Sequence, residues 1–199
     1  MKSIVEERGR VPFPVHTFER VYMEPFYKRE GLPKHLERWQ GTVDAMLEGI
    51  DTEGPIYLMV DQGIVSPFKS HRRGGMHIDG YWIPELQTHG GGGRHYTEPS
   101  KHGTFPRHGM SIGSEWPIEG ILLASSISAC KALSGEFDGE IGVGGDCSHM
   151  DLSSLKEHHL QSGICYAGNV TMLHESLPTD KEYLRTLVRM NIPGWEPIH

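Results

Sequence analysis

From Pro33 onward the apolar positions Leu36, Trp39, Val43, Met46, Leu47 and Ile50 recur at steps of three and four. That is the period of a helix with one apolar stripe, and Pro33 suits a first helical turn. The spacing therefore predicts an amphipathic helix lying on a sheet. After the Gly54-Pro55 turn the pattern changes to compact apolar runs of strand length, at 56–60, 76–82 and 118–124, with a shorter one at 141–143. Residues 152–160 show short helical spacing. Two β runs, 164–167 and 170–174, flank Gly168-Asn169 and predict a hairpin, and 183–192 reads as a final strand.

Strands thus dominate around one or two helices, and no internal repeat or heptad pattern is visible. The expectation is a single domain over 1–199, mainly β with flanking helices and built as a β-sandwich or jelly roll. Its core spans about 56–192, and residues 1–32, which mix Pro, aromatic and charged positions, read as an extended arm packed on the body. Residues 87–110 carry Gly90 to Gly93 and four histidines but few apolar anchors, and read as a long mobile loop.

Composition narrows the function classes. The chain has 199 residues, 25 of them Gly and 13 Pro, which agrees with a loop-rich globular protein. A net charge of -7 supplies no general attraction for phosphate backbones, so no strong nucleic-acid signal exists. Cys130, Cys147 and Cys165 form no CxxC pair, which argues against a disulfide framework or a thiolate zinc site and fits a reducing, cytoplasmic setting. The first residues are charged where a signal peptide needs its apolar region. The longest apolar stretch, around 121–124, cannot span a bilayer, so no membrane association is expected. Thirteen histidines stand out and point to a metal.

The chemistry-bearing residues are ordered along the strands. His77 and Asp79 are one residue apart, so on a strand both side chains leave the same face and can chelate one ion. His174 closes an apolar run and is followed by the turn at Pro178. Arg185 and Arg189 lie eleven and fifteen residues beyond it and share one face of the final strand. An inward arginine needs an anionic partner. A second HxD pair, His149 and Asp151, lies only 25 residues before His174 and is read as a decoy. His158 and His159 on a polar stretch, and His16, His35 and His199 at the periphery, read as solvated. His71, His95 and His102 are candidates for the entrance of a site. The surrounding basic pairs, Arg72-Arg73, Arg94, Lys101 and Arg107, either recruit an anionic substrate or keep loops wet.

An HxD pair, a distal His and an Arg one strand later resemble the 2-oxoglutarate/Fe(II)-dependent dioxygenase superfamily over roughly residues 56–192. The resemblance implies a double-stranded β-helix in which His77, Asp79 and His174 hold Fe(II). Two imidazoles and one carboxylate leave three positions open, which in that family 2-oxoglutarate and O2 share. It implies that an arginine grips the distant carboxylate of 2-oxoglutarate as a planar fork. Arg185 has the more usual spacing and Arg189 the longer one, and neither shows the frequent Arg-x-Ser form. The implied reaction oxidises 2-oxoglutarate to succinate and CO2 while hydroxylating a substrate. That substrate is unidentified, a small molecule, a peptide side chain or a nucleobase, contacted by loops 62–76 and 87–116. The rival readings are a cupin-type metalloenzyme and a metal-binding protein, neither of which uses 2-oxoglutarate.

Overall fold

The computed structural model describes residues 1–72, 74–79, 82–83, 88–89, 118–142 and 145–198. Among these the chain is mainly β. The helix expected from the Leu36 to Ile50 stripe begins as a 3-10 turn over Lys34–Trp39 and continues as α1, Gln40–Met46. Its apolar positions are all buried. The plural helices of the sequence reading reduce to this one helical segment among the described residues. The segment 152–160 instead supplies a strand, Lys156–Leu160, which pairs antiparallel with residues 130–134.

Two antiparallel sheets pack face to face. The larger contains β2 (Val5–Arg10), β10 (Ile164–Asn169), β7 (Glu119–Ser125), β12 (Tyr183–Pro193), β4 (Pro55–Val65) and β3 (Arg20–Tyr27), in that spatial order. The smaller centres on β8 (Cys130–Glu136), flanked by β9 (Lys156–Leu160) on one side and by β1 (Lys2–Ser3) and β11 (Leu173–Ser176) on the other. A separate two-residue pair joins β5 (Trp82–Ile83) to β6 (Thr88–His89). Residues 1–32, read from sequence as an arm, supply β1, β2 and β3 and so belong to both sheets.

The alternation of the strands sets out three layers. Ile56, Leu58, Val60, Leu122, Ala124, Val188, Met190 and Ile192 face α1 and form one apolar cluster with Trp39, Val43 and Met46. The opposite face of the same strands, with Met59, Ile121, Leu123 and Leu187, packs on Cys130, Ala132 and Met172 of the smaller sheet or its approach. Along β12 the odd positions 185, 187 and 189 point between the sheets, so two arginines enter the interior.

Residues 164–174 do not form the hairpin expected from Gly168-Asn169. Strand β10 lies in the larger sheet and β11 in the smaller, and the dipeptide is a corner closed by the Met172 amide donating to the Asn169 carbonyl at 2.9 Å. A side chain at position 168 would collide with Met172, so glycine is required where the chain changes sheets. Asn169 ties the corner to β1 by donating to the Lys2 carbonyl at 2.9 Å, and accepts from the Ile4 amide just beyond it at 3.0 Å.

Candidate metal centre

The corner at 168–172 delivers His174 into the space between the sheets. There the Gly74–Asp79 segment meets it. The His77 amide donates to the His174 carbonyl at 3.1 Å and the His174 amide to the His77 carbonyl at 2.9 Å. Such a reciprocal pair places two side chains side by side on one face, and the two imidazole centroids lie 4.6 Å apart. On its other edge the segment is held by Ile78 donating to Gly145 at 3.0 Å and Cys147 donating to Met76 at 2.9 Å. Gly145 has φ +81°, and a Cβ there would strike the Ile78 carbonyl oxygen. Only glycine fits so close an approach. The expected strand over 76–82 is thus a bridged extended segment at His77, with residues 80 and 81 outside the described set.

His77, Asp79 and His174 are all buried, and each offers a ligand atom within 4.8 Å of the others. The hydrogen bonds of the histidines orient them. His77 Nδ1 lies 2.7 Å from the Gly75 carbonyl and His174 Nδ1 2.9 Å from the Met172 carbonyl. A carbonyl only accepts, so each Nδ1 carries a proton, and in the neutral form of His174 this leaves Nε2 as an electron-pair donor toward Asp79. His174 Nε2 stands 3.3 Å from Asp79 Oδ2. Two electron-pair donors so close in a dry site repel unless a cation lies between them, either a proton or a metal ion. Ligands about 2.0 to 2.2 Å from one ion and at right angles are about 3 Å apart, so the pair is already spaced for chelation.

Arg189, 3% exposed, forms an ion pair with Asp79 Oδ2. Burial raises the Asp79 carboxyl, but the Arg189 guanidinium, joined by His174 and His77 when their rings are protonated, outweighs it and holds it well below the usual carboxylate range. The carboxylate is therefore ionised and available as a ligand at neutral pH.

Arg185 is in different company. It is fully buried, and its guanidinium donates to Ser125 Oγ at 3.0 Å, Ser176 Oγ at 3.4 Å and Cys130 Sγ at 2.9 Å. All three partners are neutral, and among the described residues Arg185 makes no ion pair. Cys130 and Ser176 line the same cavity of about 420 Å³ that holds the two histidines, Asp79 and Arg189. The cavity's outer wall is Arg20, Asp61, His71 and Arg72.

The two arginines left open by their spacing are thus separated by their partners, Arg189 at a candidate metal ligand and Arg185 at neutral hydroxyls. His149 and Asp151 are exposed. His149 faces Asp146 at 3.6 Å and Asp151 accepts from Ser153 at 2.7 Å. His158 bonds Ser134 at 2.7 Å, and His159 is exposed beside Glu157. His71 does line the cavity, whereas His95, His102 and most of the loop read as mobile over 87–110 lie outside the described residues. Asp61, Ser125 and Ser176 were missed. Ser176 was findable, since it follows His174 by two residues on one strand and must share its face.

No family model matches the sequence, and no curated protein matches it. Among solved structures, AviO1 from Streptomyces viridochromogenes Tue57 aligns over 94% of this chain and 74% of its own, at 14% identity and a TM-score of 0.35. A likeness that weak carries no argument about fold or activity.

Proposed function

We propose that this protein is an Fe(II)- and 2-oxoglutarate-dependent oxygenase of jelly-roll architecture, with His77, Asp79 and His174 as the metal ligands. The observation that carries the reading is the Nε2 of His174 facing an ionised Asp79 beside His77, inside a cavity lined also by Cys130 and Ser176, behind which lies a buried arginine, Arg185, without a carboxylate partner among the described residues. Two neutral imidazoles and one carboxylate form the donor set used by non-haem iron oxygenases. The fully buried Arg185 and the hydroxyls of Ser125 and Ser176 supply what the far carboxylate of 2-oxoglutarate needs, a fork and two further donors.

Bound iron would supply activation of O2, coupled to conversion of 2-oxoglutarate to succinate and CO2. The chain's own residues do the remaining work. The Gly75 and Met172 carbonyls fix the imidazole tautomers. Arg189 holds Asp79 ionised and limits its rotation. Arg185 orients the co-substrate, and the apolar walls of Met59, Leu123 and Leu187 exclude water.

Anaerobic addition of Fe(II) and then 2-oxoglutarate should produce the weak visible charge-transfer band of the chelate. Iron binding without that band would overturn the oxygenase reading in favour of a cupin-type metal site. Absence of iron binding would overturn both.

A further inference from the structure

The outer wall of the cavity is built more carefully than an entrance requires. Asp61, on the inward face of β4, is largely buried and gathers three basic side chains from two places in the chain. Arg72 Nη1 lies at 3.1 Å, Arg20 Nε at 3.4 Å and His71 Nε2 at 3.7 Å. The His71 side chain is only 6% exposed, yet neither ring nitrogen has a hydrogen-bond partner among the described residues. Leaving a buried polar group unmade is costly, and such groups call for an explanation by a ligand or water. Burial pushes the His71 imidazole down to about 4, with Arg185, Arg72 and Arg20 adding to the fall and Asp61 opposing it. The ring is neutral and sits in a positive field.

The charge balance agrees. Arg20, Arg72 and Arg189 line the cavity and Arg185 lies behind Cys130 and Ser176, against the carboxylates of Asp61 and Asp79. Among the described residues this leaves a surplus of two positive charges before any metal binds, in a chain whose net charge is -7. One surplus charge is deep, at Arg185. The other is at the mouth, where two arginines share Asp61. An acidic protein that concentrates positive charge in one concave site focuses anions there.

We propose that Arg20, His71 and Arg72, ordered by Asp61, form an anion subsite that recognises a carboxylate or phosphate group of the primary substrate. This deepens the oxygenase reading by naming the substrate class, and the substrate's remaining part would point past Asp61 toward the metal ligands. Arg72 is one-third exposed and keeps N–H donors beyond the one spent on Asp61. His71 supplies the buried N–H that has no acceptor. Asp61 holds the two arginines in place and keeps the subsite at a single surplus charge, suited to a monoanionic contact.

The titration itself needs neither iron nor 2-oxoglutarate, which enter only as controls. Metal-free protein with isotope-labelled histidine is titrated with inorganic phosphate, with acetate, and with chloride at matched ionic strength, following the ring resonances of His71. Phosphate or acetate should move those resonances saturably and raise the ring's pKa above its value in chloride. Whichever of the two binds more tightly distinguishes a phosphate from a carboxylate substrate. Arg72→Ala should weaken the titration about tenfold, as expected for one charge-assisted contact, and Arg20→Ala by less, while Arg72→Lys restores part of it. Equal responses to all three salts, or binding insensitive to both alanine variants, would overturn the subsite. So would saturating 2-oxoglutarate displacing phosphate with unchanged His71 shifts in Arg72→Ala, which would place the anion at Arg185. A missing iron chelate band alongside a saturable His71 titration would sink the oxygenase reading and leave the subsite standing.

Discussion

The chain contains two HxD segments of equal spacing, and their fates are opposite. His77 and Asp79 are buried between the sheets, clamped on one edge by His174 and on the other by Gly145 and Cys147. His149 and Asp151 lie on the surface in a turn-rich stretch, where Asp151 caps Ser153 and His149 reaches the Glu140 carbonyl at 2.9 Å. Spacing puts two side chains on one face only if the backbone is held extended, and backbone partners on both edges do that for 76–78 alone. Burial then converts proximity into chemistry, since a buried carboxylate facing an imidazole nitrogen demands a cation, a proton or a metal ion, between them.

The comparison breaks most sharply at the two aspartates. Asp79→Ala should abolish metal binding, a loss of at least about a hundredfold in affinity measured by calorimetry, because it removes the only carboxylate of the candidate ligand set and leaves Arg189 charged and unpaired. Retained iron affinity in Asp79→Ala would mean that the buried HxD segment is structural, and that its resemblance to the surface one runs deeper than its burial suggests.

Next in size is the contrast between the two arginines of β12. Arg185→Gln should raise the 2-oxoglutarate requirement about 30-fold, the usual cost of losing one partner of a buried charge-assisted pair, with Fe(II) affinity nearly unchanged. Arg189→Met should act on the metal side instead. It leaves Asp79 as an unpaired buried carboxylate, so the metal-free protein should lose about 3 kcal/mol. A divalent ion should restore most of that loss, seen as a larger metal-induced rise in melting temperature than in the wild type. If Arg189→Met changes only the 2-oxoglutarate requirement, the clamp moves four residues along the strand.

Much of this arrangement was legible in the sequence. The 3.6-residue period of Leu36 to Ile50, the apolar runs at 56–60, 118–124 and 183–192, and the ligand candidates His77, Asp79 and His174 need only local periodicity to be seen. What was not legible depends on non-local pairing. Gly168-Asn169 has the composition of a hairpin turn, and only the tertiary positions of β10 and β11 make it a corner between sheets. Lys156–Leu160 was not legible as a strand because β9 carries four polar residues before its one buried apolar position, Leu160, and is largely exposed. Residues 1–32 lack strong periodicity since β1 to β3 are sheet edges. The Asp61 cluster joins residues from β3, β4 and the 71–72 segment, and no spacing rule links those.

A milder effect should appear on acidification, and it again separates a buried histidine from an exposed one. The folded His71 ring titrates near 4 against 6.5 when unperturbed, because burial and the flanking arginines disfavour its charged form. A depressed histidine pKa means that the unfolded chain binds the proton first. The contribution of the neutral ring is therefore intact above about pH 6.5 and is lost progressively as the pH falls toward 4. Replacing it by glutamine, which keeps polarity without titrating, should flatten that part of the stability profile in urea unfolding at a series of pH values. His149→Gln should leave the profile unchanged. Identical slopes for the wild type and His71→Gln between pH 6.5 and 4 would show that the ring is not held neutral.

The smallest effect is expected at the surface HxD pair, and its smallness is the point. Asp151 is fully exposed, and its carboxylate is held below its ordinary range mainly by the Ser153 hydroxyl and amide. Those are local contacts within a turn and they anchor no other element. Asp151→Ala and His149→Ala should therefore keep iron affinity, the 2-oxoglutarate response and the thermal midpoint of the wild type within error. Exposed ion pairs and turn contacts typically contribute little. The pair is the control for His77 and Asp79, since the ligand residue types and their spacing are the same while backbone partners and burial differ. If Asp151→Ala lost iron as Asp79→Ala is expected to, burial and edge pairing would not be what makes an HxD segment a ligand pair, and the assignment of His77 and Asp79 would have to be argued again from the metal outward.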